Sequence, residues 1–171
     1  MNFYHRLAFC LALTVAAIPA ASDTVVYVVT GNQQFGTFDI NTGTFNPIGA
    51  GTPEAESGLV PGPNGSLLTL TISGNLDAIN PATGQVTSSL PTGLGNCTAP
   101  VPGQCGPNSA NTITELGGVV YATDYQNNLY TINPLTGAKT FVAATGVPAV
   151  PAVSGSGATW NSLMAGAAGG T

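Results

Sequence analysis

The chain has 171 residues, enough for one ordinary domain, and its 7 acidic residues outnumber its 2 basic ones, which gives a formal net charge of −5. Nucleic-acid binding requires clustered positive charge, so this composition excludes it. Hydrophobic residues make up 43% of the chain, which excludes the apolar-poor composition of a disordered protein. Short apolar runs broken by Gly and Pro favour an all-β fold with many turns.

Residues 1–22 have the pattern of a secretory signal peptide. A polar, basic start at His5 and Arg6 precedes the apolar run 7–18, and small residues follow. We expect a helical signal peptide that is cleaved after Ala20 or after Ser22. A membrane anchor is the alternative, but the apolar run is shorter than the roughly 20 residues that a spanning helix needs. The mature chain is therefore predicted to have no membrane span and to be secreted, periplasmic or on the cell surface.

Residues 23–147 are expected to form three repeats of short antiparallel strands, at about 23–50, 58–92 and 110–147. Strands are predicted in the first repeat at 24–30, 34–40 and 44–48. In the second repeat they are predicted at 67–72, 76–80 and 85–90, and in the third at 111–116, 119–123, 129–133 and 138–143. Residues 24–30 are apolar at nearly every position, which predicts a strand buried on both faces.

A repeated turn marks the three units. The pattern Asn-Pro-x-Thr-Gly occupies 80–84 and 133–137, and the sequence Asn-Thr-Gly at 41–43 is interpreted as a version two residues shorter. Pro fixes its backbone φ, Asn can bond the backbone that follows, and Gly takes the left-handed conformation. The turn therefore predicts a tight connection between two antiparallel strands.

The spacing of the turns predicts a propeller. When Ile40, Ile79 and Ile132 are aligned, the repeats are 39 and 53 residues apart, and the longer interval has 14 extra residues around two cysteines. Repeats of about 40 to 50 residues with several short strands each are typical of propeller blades. In an exported chain, Cys97 and Cys105 most simply form one disulfide. The alternative, a metal pair, lacks two further ligands for a structural zinc.

Three segments resemble blades of quinoprotein-like or YVTN-type β-propellers. They are 38–43, 78–84 and 131–137, and the strand 119–124 fits the same pattern. The resemblance covers about residues 24–145 and implies a partial propeller of about three blades, each with three or four antiparallel strands. Quinoprotein blades usually carry Trp shortly after Thr-Gly. The matching positions hold Pro47, Ser88 and Phe141, so no quinone is expected.

Three blades cannot close a ring, because propellers have about four to eight. We expect a fragment of a longer protein, in which residues 148–171 begin a truncated fourth blade. The alternatives are an oligomer that completes the ring and an open stack of sheets. Self-association through open propeller edges is therefore expected as well.

Three acids are candidate calcium ligands: Asp39, Asp77 and Asp124. Calcium requires about six to eight oxygen ligands, and the chain has no EF-hand spacing, so turn capping or a local hydrogen bond is the alternative for each. Asp77 is the most unusual, because the alignment places it on an apolar side of its strand, where a carboxylate needs a partner or exposure. Glu54 and Glu56 lie in a Pro- and Gly-rich loop and are predicted to be solvated.

The expected function is binding. Beyond residue 22 the chain has no His and no Arg, which excludes histidine-based nucleophilic catalysis, and no catalytic residue is predicted. We expect a secreted, non-catalytic binding or surface protein of unknown ligand, with calcium as the one candidate cofactor. The alternative is a propeller enzyme, such as a lactonase, a glycosidase or a quinoprotein, whose catalytic residues lie in other blades.

Overall fold

The structure of the protein is a computed structural model that describes residues 25–30, 32–54, 57–95 and 108–146. These residues form eleven strands and one 3-10 turn at Pro63–Gly65. The strands lie in three antiparallel sheets, so the predicted all-β fold is confirmed. Within each sheet, every strand pairs with the strand that follows it in the chain, which makes each sheet a meander.

The sheets are numbered in chain order. Sheet I contains β1 (Val25–Val29), β2 (Phe35–Asp39) and β3 (Thr44–Pro47). Sheet II contains β4 (Val60–Pro61), β5 (Leu67–Leu70), β6 (Asn75–Ile79) and β7 (Val86–Pro91). Sheet III contains β8 (Ala110–Leu116), β9 (Val119–Asp124), β10 (Asn128–Ile132) and β11 (Lys139–Ala144). All strands except β4 lie where a strand was predicted, and their ends differ by at most two residues.

The turns that join β1 to β2, β5 to β6 and β9 to β10 have the same hydrogen bonds in all three sheets. The first residue of the turn is Thr30, Thr71 or Asp124. The carbonyl oxygen of this residue accepts a bond of 2.9 Å from the N–H three residues later. Its side-chain oxygen accepts a second bond, of 2.9 to 3.2 Å, from the N–H four residues later. A threonine hydroxyl and an aspartate carboxylate can both accept this hydrogen bond. Because the residue type differs between the sheets, the repeat is not visible when the three segments of the sequence are aligned.

The second repeated turn corrects the alignment of the first repeat. In all three sheets its first residue accepts a 2.8 Å bond on its carbonyl oxygen from the N–H of the closing glycine. The side-chain oxygen of that residue accepts a further bond of 2.8 to 2.9 Å from the N–H two residues later. The first residues are Asp39, Asn80 and Asn133. Asp39 and not Asn41 therefore corresponds to the two asparagines, and all three turns have the same length.

Ile40 consequently has a different role from the one predicted. It stands where Pro81 and Pro134 stand in the other turns, and 53% of it is exposed. The residue that corresponds to the buried Ile79 and Ile132 is Phe38, one position before the turn. Aligning the isoleucines was wrong because it followed residue identity rather than the bonded position in the turn.

Both turns recur at the same intervals. Thr30, Thr71 and Asp124 are 41 and 53 residues apart, and the first residues of the second turn show the same two intervals. The sheets therefore share one register, and the longer interval has 12 extra residues instead of the predicted 14. These residues fall between β7 and β8. The cysteines of that segment, Cys97 and Cys105, lie outside the described residues, and their disulfide stays a prediction.

A hydrophobic core lies between sheets II and III. Sheet II contributes Leu68, Leu70 and Leu76, which are at most 1% exposed. Sheet III contributes side chains that are at most 5% exposed, among them Ile113 and Val120. Burying an aliphatic side chain of this size contributes about 1.5–3 kcal/mol, so this core is a main source of stability.

Sheet I is buried less than predicted. Val25, Val26 and Tyr27 in β1 are 39% to 48% exposed, whereas the corresponding strand β5 is almost completely buried. The prediction that residues 24–30 are buried on both faces is wrong for the described part of this strand. In the part of the chain that the structure describes, sheet I has a neighbouring sheet on one side only.

Adjacent sheets meet at a repeated contact, which we call the sheet junction. In it, the closing glycine of the second turn faces the end of the preceding sheet's outer strand. A Cβ atom on Gly84 would lie 3.1 Å from the carbonyl carbon of Ile48, and one on Gly137 would lie 2.9 Å from both Leu90 Cβ and Pro91 O. Because φ is also positive at these positions (71° and 74°), only glycine fits there.

Candidate functional site

Asp39 caps its own turn. Its Oδ1 accepts hydrogen bonds from the backbone N–H groups of Asn41 (2.8 Å) and Thr42 (3.3 Å). The pKa of Asp39 is lowered, first by a hydrogen bond from the Thr42 side chain and then by these two N–H groups. The carboxylate therefore accepts the same hydrogen bond that an asparagine amide oxygen accepts in the other two turns.

Asp124 is fully buried and has four hydrogen-bond donors. Its Oδ1 accepts bonds of 2.9 Å from the backbone N–H groups of Gln126 and Asn128. Its Oδ2 accepts one bond from Asn128 Nδ2 (2.9 Å) and one from the Tyr130 hydroxyl (3.0 Å). Both carboxylate oxygens are therefore occupied by protein donors, and the group fixes the β9–β10 turn.

Asp77 is buried, with 3% exposure, and its Oδ1 has no hydrogen-bond partner. It lies in the middle of sheet II, where the register pairs it with Thr69 on β5 and Ser89 on β7. Burial is the largest cause that raises the pKa of Asp77. The negative charge of Glu54 raises it further, and a hydrogen bond with Ser89 acts in the opposite direction. Asp77 therefore holds a proton more readily than an ordinary aspartate.

Glu54 is less exposed than its position in a Pro- and Gly-rich loop predicts. It was predicted to be solvated, yet it is half-buried, and its Oε2 accepts a 3.3 Å hydrogen bond from the backbone N–H of Ser73. Its charge acts on Asp77, although the two residues are 23 positions apart in the chain. No local motif in the sequence could have indicated this pair, since the loop before sheet II brings it together. Glu56 lies outside the described residues.

The three candidate calcium ligands are not brought together. Asp39, Asp77 and Asp124 belong to sheets I, II and III respectively. Among the residues that the structure describes, no group of three His, Cys, Asp or Glu side chains could hold a metal ion. A calcium site at any one of these acids stays a prediction.

Lys139 connects sheets II and III. Its Nζ donates a hydrogen bond to the carbonyl oxygen of Gly93, just after β7. The same Nζ lies 5.1 Å from the centre of the Tyr130 ring, within the range of a cation–π contact. The lysine therefore binds backbone and an aromatic ring within the fold.

A groove of about 540 Å³ opens where sheet III meets the outer part of sheet II. It is lined by the turn 63–66, by side chains of β6 and β7, and by Pro134 and Leu135 of sheet III. Leu135 is 71% exposed, and no charged side chain lines the groove. Its chemistry is that of hydroxyl, amide and small apolar groups, which suits an uncharged ligand.

No protein-family model matches the chain, and no curated protein sequence is significantly similar to it. Among solved structures, the chain is similar to BamB from Moraxella catarrhalis, a β-propeller. The two are 18% identical, and the alignment covers 68% of this chain and 36% of the BamB chain, with a TM-score of 0.40. This chain thus spans about a third of the length of that protein.

The described residues form three antiparallel meander sheets with two repeated turns. That these sheets are the blades of a propeller stays a prediction. Membership of the quinoprotein-like or YVTN-type family stays a prediction. Within the described ranges, no helix is long and apolar enough to cross a membrane. The predicted signal peptide at 1–22 lies outside the described residues, as does the predicted fourth-blade segment at 148–171.

Proposed function

We propose that the protein is an exported, non-catalytic binding or surface protein. The main support for this proposal is that the charged side chains of the protein are hydrogen-bonded within the fold. Those that the structure describes all make hydrogen bonds within the fold: Asp39, Glu54, Asp77, Glu115, Asp124 and Lys139. Charged groups that are hydrogen-bonded within the fold are poorly placed to exchange protons with a substrate. The uncharged groove, in contrast, can bind a ligand.

The groove is the ligand site in this proposal. Leu135 offers a matched pair of variants, because it occupies the third position of its turn, as Ala82 does in sheet II. Both residues are exposed, but only Leu135 lines the groove. The Leu135→Lys variant is expected to weaken ligand binding, and Ala82→Lys should leave it unchanged.

The test is an array of extracellular polysaccharides and surface proteins, probed with the wild-type chain and with both variants. Binding that is lost in Leu135→Lys and kept in Ala82→Lys supports the proposal. Binding that both variants keep would place the ligand away from the groove. The absence of binding, together with hydrolysis of lactones or glycosides by the full reading frame, would support the alternative of a propeller enzyme.

Export forms a second part of the proposal, with residues 1–22 as the signal peptide. It is tested by N-terminal sequencing of the protein recovered outside the cytoplasm. We expect an N-terminus at Ala21 or Asp23, which corresponds to cleavage after Ala20 or Ser22. An intact N-terminus on protein that stays in the cytoplasm would contradict it. Further copies of the repeated turns in the reading frame beyond codon 171 would support the proposal of a longer propeller, in which 148–171 begins a fourth blade.

A further inference from the structure

The two faces of sheet II differ in character. Leu68, Leu70 and Leu76 belong to the hydrophobic core that sheet II shares with sheet III. Side chains alternate along a strand, so Thr69 and Asp77, which pair across β5 and β6, point to the opposite face. Both are buried, with 0% and 3% exposure. A carboxyl group therefore lies in the interior of the protein, outside its hydrophobic core.

The segment between sheets I and II brings a second carboxylate to this region. Glu54 Oε2 accepts a hydrogen bond of 3.3 Å from the N–H of Ser73, in the turn that joins β5 to β6. Three residues further on, the N–H of Ser57 donates a bond of 3.0 Å to the carbonyl oxygen of Leu70. Asp77 is the third residue of β6, directly after the same turn. The charge of Glu54 acts on the Asp77 carboxyl, so the two acids lie within electrostatic range of each other.

The two acids have no positive partner. Beyond residue 22 the only basic side chain of the chain is Lys139. It donates to the Gly93 carbonyl oxygen and lies over a tyrosine ring where sheets II and III meet. Oδ1 of Asp77 is buried and, among the described residues, has no hydrogen-bond partner. A buried carboxylate with a second acid nearby is unfavourable unless a proton or a cation neutralises it.

Asp77 differs in this respect from the other two acids that were considered as calcium ligands. Both carboxylate oxygens of Asp124 accept hydrogen bonds from protein donors, and Oδ1 of Asp39 caps its own turn. Asp77 alone has a buried oxygen that accepts no hydrogen bond from the described residues. This oxygen points to a missing positive ligand.

The type of cation follows from the available donors. Beyond residue 22 the chain has no His, so the donors around Asp77 and Glu54 are oxygen atoms. Oxygen donors select hard cations. One carboxylate comes from a loop and the other from a strand. Such a pair suits Ca²⁺, which accepts irregular coordination, better than Mg²⁺, which requires a near-ideal octahedron.

We propose that Asp77 and Glu54 bind one calcium ion between them, at the end of sheet II where β5 turns into β6. Water and backbone carbonyl oxygens complete the coordination. With only two carboxylates we expect a Kd of about 0.1–1 mM, as in extracellular calcium-binding modules. Burial and the charge of Glu54 raise the pKa of Asp77, so a proton replaces the cation when calcium is absent.

Calorimetric titration of the full chain with calcium chloride, after removal of metals with EDTA, tests the proposal. We expect one ion per chain. Loss of an outer-shell partner already weakens metal binding by about 10–100-fold, so Asp77→Asn and Glu54→Gln should each weaken it at least tenfold. Asp39→Asn and Glu115→Gln are the matched controls, because they remove the same charge elsewhere. Both should bind calcium like the wild type.

Urea unfolding separates metal binding from a purely structural role of Asp77. Calcium should raise the unfolding midpoint of the wild type and leave that of Asp77→Asn unchanged. In EDTA, Asp77→Asn should be at least as stable as the wild type at neutral pH, because it buries no charge. Circular dichroism establishes that each variant is folded. If Asp77→Asn does not fold, Glu54→Gln decides the outcome by the same two measurements.

Nuclear magnetic resonance locates the ion. During the calcium titration the largest amide shifts should occur at Ser73 and Asp77. Shifts centred on Asn41 or Gln126, whose N–H groups bond Asp39 and Asp124, would place the ion at another acid and overturn the proposal. Leu135→Lys should bind calcium like the wild type, so a failure of the groove as ligand site leaves this proposal unaffected.

Three further results would contradict a calcium site at Asp77 and Glu54. One is the absence of saturable binding up to about 10 mM calcium, ten times the weakest affinity expected. Another is an unchanged affinity in both Asp77→Asn and Glu54→Gln. The third is magnesium binding as tight as calcium binding, which would contradict the irregular coordination that the two carboxylates offer.

Discussion

Gly84 of sheet II lies so close to Ile48 of sheet I that a Cβ atom on the glycine would be 3.1 Å from the isoleucine carbonyl carbon and closer still to its oxygen. The glycine is thus part of a turn and, at the same time, part of a contact between sheets. The turn motif that marks each repeat in the sequence is therefore also the element that joins the repeats. The glycine therefore affects both the formation of the hairpin and the packing of one sheet against the next.

The buried Asp124 is expected to be the acid on which the fold depends most. Asp124→Ala leaves two backbone N–H groups, an amide and a hydroxyl without their acceptor, and we expect a loss of roughly 2–4 kcal/mol in the free energy of unfolding. Asp124→Thr is the matched control, because Thr30 and Thr71 fill this position in the other sheets. It should retain the bond from Asn128 N–H and lose less stability.

Urea unfolding measures both Asp124 variants. Equal losses for alanine and threonine would contradict the equivalence of the three turns. Tyr130 gives a second readout, because burial, and then its hydrogen bond to Asp124 and the charge of that residue, raise the pKa of its phenol. In Asp124→Thr this pKa should fall toward the ordinary value, which titration of the tyrosinate absorbance can follow.

Asp77 and Asp39 are expected to give pH dependences of opposite sign. The folded-state pKa of Asp77 is raised, so its contribution to stability is lost as pH rises from the ordinary aspartate pKa to the folded one. The folded-state pKa of Asp39 is lowered, so its contribution is lost as pH falls from the ordinary value through the folded one. Asp77→Asn should therefore remove a decline in stability toward neutral pH, and Asp39→Asn should remove a decline toward acid pH.

Unfolding free energies measured from acid to neutral pH test this pair. Asp39→Asn is also a good control for structure, since Asn80 and Asn133 form the same turn with an amide oxygen. If Asp77→Asn has the same pH profile as the wild type, the buried carboxyl is ionised at no cost, and our account of its environment fails.

Lys139 is expected to contribute modestly to the contact between sheets II and III. Lys139→Met keeps most of the apolar stem but removes the bond to the Gly93 carbonyl and the charge over the Tyr130 ring. We expect a loss of about 0.5–1 kcal/mol, the size of an exposed cation–π contact. Thermal unfolding would detect it, and a loss of several kcal/mol would show that the lysine has a larger structural role.

The strands and the second turn could be predicted from the sequence because their causes are local. Asn and Gly have conformational preferences that appear as a motif, and apolar runs between such motifs are strands. The turn at Asp39 was misaligned because its carboxylate replaces an amide as hydrogen-bond acceptor, and residue identity does not record that equivalence. The first turn was not recognised as a repeat for the same reason, since Thr30, Thr71 and Asp124 share a side-chain oxygen and no other feature.

Burial and the candidate site could be predicted only in part, because they depend on which sheets are neighbours. The apolar sequence of β1 is like that of β5, yet Val25, Val26 and Tyr27 are exposed on both faces of β1. Among the described residues, β1 packs mainly against its neighbour β2 and takes no part in the core between sheets II and III. The influence of Glu54 on Asp77 arises from the path of a loop between sheets. Neither the exposure of β1 nor the effect of Glu54 on Asp77 can be predicted from residues that are adjacent in the sequence.

Unfolding of Gly43→Ala, Gly84→Ala and Gly137→Ala shows whether the closing glycines join the sheets. All three glycines have a similar positive φ, of 68° to 74°. Backbone strain alone should cost each variant about 1–2 kcal/mol. We predict that Gly84→Ala and Gly137→Ala lose a further 1–3 kcal/mol, roughly, from overlap with the preceding sheet. Equal losses for all three variants would show that the closing glycines do not join the sheets.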